Sequence, residues 1–360
     1  MRRGLISWSR DEVPQEVLEA RVGRLQQAMH AAGLDAVLAY TSFAQPAPVQ
    51  WLTHFVPYWS EALAVVLPQG APTLLAALTA RVHPWIREVS HLAEVVSAPR
   101  LGDSASAFLQ ERLAAKSKIG VIGLDGLPWS VGESLMKAVG ADNLVDVTAL
   151  YAELRQQADS AELGLAKRAS AIGEAALRAI PAGATCASEV LAAIEASARH
   201  AGAEEVLLRI APDFTSNTTL LRMEGDAQLG ERYAVELSLA YKGSWVRLNR
   251  CVAMQGAPSS WQAAAQWLTD AALSICADRP APSFDALPAS GKLSAWTLES
   301  CVGVHPLSVV AAQDRPSVQA LSEGGIAMLT VELALPDGPW RGSVPLVVGA
   351  AGNRAALLAA

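Results

Sequence analysis

The chain has 360 residues, of which 51% are hydrophobic and only 18% charged, and its formal net charge is −7. That is enough chain for two domains of ordinary size, and too apolar a composition for a disordered one. There is no Lys/Arg run and no basic stripe interleaved with aromatics, so composition excludes nucleic acid and anionic membranes as partners.

The opening residues carry Arg2 and Arg3, but Ile6-Ser7-Trp8-Ser9-Arg10-Asp11 is too polar for the core of a signal peptide. No apolar stretch approaches the ~18 residues a membrane-crossing helix needs. A cytoplasmic location is therefore expected. Val17, Leu18, Val22, Leu25, Met29 and Ala32 recur at helical spacing and predict an amphipathic helix over 16–32, with Gly33 as its C-cap. Residues 36–40 read as a short buried strand, and 62–68 with 72–77 as a strand pair turned by Gln69-Gly70-Ala71. A helix follows at about 104–114 and a strand at 118–124. Strand and helix alternate to residue 150, which implies an α/β domain.

The pattern then changes. Residues 160–180 form a long helical stretch with Ser160 and Glu162 as cap residues, stopped by Pro181-Ala182-Gly183. A second helix spans 188–201. From Glu205 the chain reads as strands and turns, interrupted by a helix at about 260–277. The domain boundary falls within 152–160, giving domains of 1–155 and 156–360. The cysteines Cys186, Cys251, Cys276 and Cys301 are scattered without a C-x-x-C pair, which argues against a disulfide framework or a zinc knuckle. No Gly-x-Ser-x-Gly elbow and no Gly-rich phosphate loop after a strand is present.

Ala20-Arg21-Val22-Gly23-Arg24-Leu25-Gln26 with Ala32-Gly33-Leu34-Asp35-Ala36-Val37-Leu38 resembles the opening helix and strand of the creatinase/prolidase N-terminal domain. Val49-Gln50-Trp51-Leu52-Thr53-His54-Phe55 looks like that family's Tyr-Leu-Thr-Gly-Phe segment, and Leu154-Arg155 through Glu162 like its inter-domain junction. The chain thus resembles the creatinase, prolidase and aminopeptidase P superfamily. The resemblance implies an α/β N-terminal creatinase-like domain plus an α+β pita-bread C-terminal domain. It also implies a homodimer in which one subunit's N-terminal domain covers the other's cleft.

In that superfamily two Asp, one His and two Glu hold two divalent metals that activate water and polarise an amide. Gly230-Glu231-Arg232-Tyr233-Ala234-Val235-Glu236 places Glu236 at the first Asp position. The second Asp position is Arg247, between Tyr241, Gly243 and the matching Arg250. Glu299-Ser300-Cys301-Val302-Gly303 puts Ser300 at the His position, or His305 if the alignment slips. Gly325 through Glu332 keeps a Glu, and Trp340-Arg341-Gly342-Ser343 offers Ser343 for the last. A serine hydroxyl is a poor divalent ligand and an arginine does not deprotonate. The expectation is therefore no metal and no other cofactor, with an ion-pair cluster in the old cavity.

Creatinase works without metal through a histidine. The corresponding segment here, Asp213 through Met223, keeps an Asn217-Thr218 pair but has no His. Two functions stay open. One is a metal-independent hydrolase or lyase cleaving a C–N (amide or amidine) bond of a small carboxylate-bearing molecule. Glu236, Glu332 and His305 would be its catalytic groups, and Arg247, Arg222, Arg250, Asp213, Ser300 and Ser343 its substrate contacts. The other is a pseudoenzyme with a ligand-binding or scaffold role. A metallopeptidase of Xaa-Pro type with unusual ligands is a third possibility. In every case a small molecule is the expected partner.

Overall fold

The computed structural model describes residues 6–223, 225–279, 282–284, 286–300 and 321–358. Among them the chain divides into two compact units, 6–155 and 156–358. No helix among the described residues is long and apolar enough to cross a membrane.

The first unit opens with α1 (Gln15–Ala32), which buries Leu18, Val22, Leu25 and Met29. Gly33 ends it in the left-handed conformation at φ 64°, which a Cβ would strain. Then follow β1 (Ala36–Ser42), α2 (Ala47–Thr53), β2 (Glu61–Val66), β3 (Thr73–Ala76), α3 (His83–Val89), β4 (Glu94–Ser97), α4 (Leu101–Arg112), β5 (Ile119–Ile122), α5 (Trp129–Val139), β6 (Leu144–Asp146) and α6 (Thr148–Leu154). One six-stranded sheet runs β4-β3-β2-β1-β5-β6. The pair expected from the Gln69-Gly70-Ala71 turn is present, with β2 and β3 antiparallel. By contrast β1, β5 and β6 are mutually parallel.

Period-2 alternation sends the two faces of this sheet to separate cores. Val37, Ala39, Ala62, Ala64 and Val66 pack with Val49, Trp51 and Leu52 of α2. Ala36, Leu38, Leu63, Val65 and Val121 pack with Val131 and Leu135 of α5. Helix α5 buries Val131 and Leu135, one turn apart on the face it turns to the sheet.

The second unit begins with α7 (Ser160–Arg178) and α8 (Ala187–His200). The cap of α7 is Asp159 rather than Ser160. The Asp159 carboxylate accepts from the Glu162 amide at 2.9 Å, and Glu162 accepts from the Asp159 amide at 3.3 Å. An ionised carboxylate in this reciprocal box outcompetes the neighbouring serine hydroxyl. A three-stranded antiparallel sheet follows: β7 (Glu205–Ala211), β8 (Arg232–Tyr241) and β9 (Ser244–Ala253). Then come α9 (Ser259–Leu273) and a four-stranded sheet of β10 (Lys292–Ser300), β11 (Ile326–Leu335), β12 (Gly338–Val347) and β13 (Ala356–Leu357).

Two helical layers clamp these sheets from outside. Tyr233, Val235, Leu237, Leu239, Val246 and Leu248 pack under α7 and α8. Ala327, Leu329, Val331 and Leu333 pack with Trp261, Ala264 and Leu268 of α9. Ile326 and Met328 at the start of β11 join the core under α7 and α8, whereas the polar residues Glu236 and Ser238 of β8 and Thr330 and Glu332 of β11 belong to neither helix-covered cluster.

The register of β8 on β9 is set by a two-residue turn, Lys242-Gly243, with φ 48° and 81°. Positive φ at both positions is the turn that matches strand twist. Lysine is unusual there, and buried Glu204 holds it: its carboxylate accepts the Lys242 and Gly243 amides, each at 2.6 Å. Replacing Glu204 with Ala leaves these turn amides without their acceptor. Chemical denaturation of Glu204→Ala should show a loss of about 1–3 kcal/mol; an unchanged midpoint would remove Glu204 from the turn's support.

Candidate functional site

The faces turned away from the helices meet in a polar seam. In antiparallel pairs, residues directly opposite share a face. Glu236 on β8 lies opposite both Arg209 on β7 and Asn249 on β9. Ser238 lies opposite Arg247. On the second sheet Glu332 is opposite Arg341, and Thr330 is opposite Ser343.

Strands β9 and β12 join the two sheets through side chains. Ser343 Oγ accepts from the Asn249 amide at 2.7 Å and donates to the Arg247 carbonyl at 3.2 Å. Cys251 Sγ accepts from the Arg341 amide at 3.2 Å and donates to the Arg341 carbonyl at 3.4 Å. Burial pushes the Cys251 thiol up to about 12, so it stays protonated, a donor and not a nucleophile.

Around this seam lies a network of three glutamates and three arginines. Glu236, only 3% exposed, is the centre. Arg209 donates to its Oε1 through Nε at 2.7 Å and also through Nη2. Arg341 Nη2 donates to its Oε2 at 3.4 Å, and Arg247 Nε lies 3.8 Å from Oε1. Arg247 Nη1 spans both oxygens of Glu299 at 2.8 and 2.6 Å, while its Nε donates to Ser238 at 3.1 Å. Arg341 Nη1 donates to Glu332 at 3.2 Å, and its Nε to Asn249 Oδ1 at 2.9 Å. Among the described residues three cations face three anions. Burial raises the Glu299 carboxyl above its ordinary range; Arg247 opposes that shift and Glu236 adds to it.

Of the residues singled out from sequence, Glu236, Arg247 and Glu332 come together here. Arg247 is not an open anion clamp: it is buried and committed to Glu299 and Ser238. Ser343 belongs to the seam, its hydroxyl bonded to backbone. Ser300 is opposite Ala327, which packs under α9, whereas its neighbour Glu299 takes the network side. Arg250 is opposite Val235, on the helix-facing side, and pairs with Glu174 of α7 at 3.1 Å. Arg222 is exposed and makes no ion pair among the described residues. Asp213 is spent on its own turn, accepting from the Ser216 hydroxyl at 2.6 Å and from the Thr215 and Ser216 amides. Those bonds hold its carboxyl below the usual range. His305 and Cys301 lie outside the described residues.

Sequence reasoning did not assign Arg209, Glu299 or Arg341 to the site. Arg209 was visible only as a lone charge between Leu208 and Ile210; Glu299 and Arg341 flank positions chosen by motif.

A family model for the creatinase/prolidase N-terminal domain matches residues 21–157. Solved structures match almost end to end. A prolidase from Thermococcus sibiricus is 14% identical, with a TM-score of 0.68 over 95% of this chain and 97% of that one. An X-Pro aminopeptidase from Thermotoga maritima is 16% identical, with a TM-score of 0.66 over 94% and 97%. The aminopeptidase PepP of Pseudomonas aeruginosa is 13% identical, with a TM-score of 0.65 over 96% and 95%. Among curated protein sequences none matches the chain. The fold is therefore that of the pita-bread superfamily. The N-terminal part, matched by the family model, has the creatinase/prolidase N-terminal fold, and the C-terminal domain has the fold of the pita-bread type.

Among the described residues, the side chains at the motif positions do not offer the donor set that two divalent metals need. Such a centre needs carboxylate and imidazole donors with open lone pairs. Here Arg247 is a cation, Ser343 is used up by backbone, and Ser300 is on the other face. Glu236 and Glu332 are both bound by guanidiniums. Among the described residues no group of three or more His, Cys, Asp and Glu is arranged to hold a metal ion.

Arg247→Met leaves Glu299 buried without its partner. Urea unfolding should show a loss of about 3–5 kcal/mol; a loss within error of zero would mean the pair carries no weight. A pH series tests Glu299 itself. Its folded pKa lies above the ordinary 4.5, so its contribution to stability is full below that pH and is lost as pH rises through the folded value. The unfolding free energy of the native chain minus that of Glu299→Gln should fall over this window and then level off. A flat difference would contradict the assignment.

Proposed function

We propose that this chain is a metal-independent protein of the pita-bread fold, whose C-terminal domain binds a small carboxylate-bearing molecule and does not act as a metallopeptidase. One observation carries the reading: the carboxylates of the seam are engaged by guanidiniums in place of metals. A buried carboxylate cluster needs positive charge nearby, and divalent cations or arginines both supply it. Arginines do so without activating water, so the ligand-binding role of a pseudoenzyme is favoured. Arg209 and Arg341, at 23% and 20% side-chain exposure, are the network cations that solvent and a ligand carboxylate reach. A cytoplasmic location belongs to the same proposal, supported by the free thiols Cys186, Cys251 and Cys276. So does a homodimer, which rests on the family resemblance.

A second reading, a metal-free hydrolase or lyase of C–N bonds, draws on two features. Glu332 is held, among the described residues, by Arg341 alone and is 17% exposed. Glu299 has a raised carboxyl pKa. Together they are a candidate base and acid whose environments differ.

Elemental analysis of protein purified without chelator should find no stoichiometric metal, and manganese, cobalt or zinc should leave the melting temperature unchanged. Two divalent ions per chain would overturn the proposal. A screen of small carboxylated amides and amidines separates the two readings: the binding role expects ligand-induced stabilisation without turnover, while turnover abolished in Glu332→Gln would establish the enzyme.

A further inference from the structure

The N-terminal domain carries a crevice at the carboxyl ends of its parallel strands. In an open sheet, ligands bind at the carboxyl ends of parallel strands, where neighbouring strands send their connections to opposite sides. Strands β1 and β5 are adjacent and parallel. The chain leaves β1 through α2, which packs on one face of the sheet, and goes on to β2. It leaves β5 through α5, which packs on the other face, and goes on to β6 on the opposite side. The split between those two connections opens a crevice at the ends of β1, β5 and β6. A cavity of about 230 Å³ lies there.

Its lining defines what fits. Tyr40, Pro48, Ile122 and Leu124 give an apolar wall; Asp125 and Asp146 supply carboxylates. No lysine or arginine among the described residues lines it. Asp125 is exposed and makes no ion pair among the described residues. Asp146 Oδ1 is occupied by the Thr148 amide at 3.0 Å and the Thr148 hydroxyl at 2.5 Å, which leaves Oδ2 for a ligand. Thr148 Oγ in turn accepts the Gly123 amide at 2.7 Å, which ties the end of β5 to the start of α6. Burial and the neighbouring Glu61 raise the Tyr40 phenol above its ordinary value, and it remains a neutral donor to Glu61 at 2.7 Å.

Among the described residues the lining carries two carboxylates and no lysine or arginine, the reverse of the charge a phosphate cradle presents. A phosphorylated ligand, the usual guest of such crevices, meets like charge here. The volume is below the ~300–1,000 Å³ of sites for drug-sized ligands. We infer that the crevice at the ends of β1, β5 and β6 binds a small organic cation, an amine or a guanidine, with its charge between Asp125 and Asp146 and its carbon chain along Pro48, Ile122 and Leu124. This goes beyond the reading of the C-terminal seam and does not depend on it.

Calorimetric titration of the full chain with agmatine and with putrescine tests it, with inorganic phosphate and calcium run in parallel. At least one of the two organic cations should bind saturably. Affinity should weaken by about tenfold or more in Asp125→Asn, as loss of a charge-assisted contact does, and should fall as salt rises from about 50 to about 500 mM. Asp125→Asn alters an exposed side chain, and an unchanged melting temperature confirms that it folds. The inference is overturned if neither cation binds, if Asp125→Asn binds as well as the native chain, or if phosphate or calcium is taken up in their place.

Discussion

Everything in the C-terminal domain is arranged around one buried anion. Glu236 sits in the middle strand of its sheet, almost wholly removed from water, and three guanidiniums close on it. Desolvating a carboxylate alone costs several kcal/mol. The fold retains it because Arg209, Arg247 and Arg341 arrive from three different strands, and each of the last two brings a second glutamate. The balance of three charges against three keeps any one group from being left alone in a medium of low dielectric. Removing a partner and removing a pair are therefore different events, and only the first leaves a naked charge.

The same residues hold the two sheets in line. Ser343 and Cys251 tie β9 to β12 through side chain to main chain bonds, in a stretch where each strand already has its ladder partner on the other side. Arg341 takes part in both systems: its backbone bonds Cys251, and its guanidinium reaches Glu236, Glu332 and Asn249. The seam and the ion network are thus one unit. Two polar atoms within it, Asn249 Nδ2 and Thr330 Oγ1, are buried with no hydrogen-bond partner among the described residues. Orphans of this kind are uncommon in folded proteins.

The two domains show two ways of placing chemistry on a sheet. In the N-terminal domain both faces are covered by helices, so polar groups collect at the strand ends, where connections diverge. In the C-terminal domain polar groups collect on the stretches of strand that no helix covers, at Glu236, Ser238, Thr330 and Glu332. The chemistry follows the packing. A face without a helix over it tolerates charge provided the charge is paired, and a strand end tolerates charge because solvent reaches it.

The sequence by itself determined the large features. Helical spacing with a glycine cap at Gly33, the strand pair around Gly70 and the alternation of strand and helix specify the α/β domain, because these patterns are local. Motif order located Glu236, Arg247 and Glu332, because the resemblance to the creatinase/prolidase superfamily assigns each a place along the chain. What it did not determine is which charges meet. Arg209 reaches Glu236 across 27 residues, Arg247 reaches Glu299 across 52, and Arg341 reaches Glu236 across 105. Face was equally hidden. Arg250 and Ser300 stand beside network positions but point to the helices, because successive residues in a strand alternate and the register rests on the Lys242-Gly243 turn held by Glu204. Only the tertiary structure decides such pairings: they depend on strand register and sheet apposition, which no local periodicity encodes.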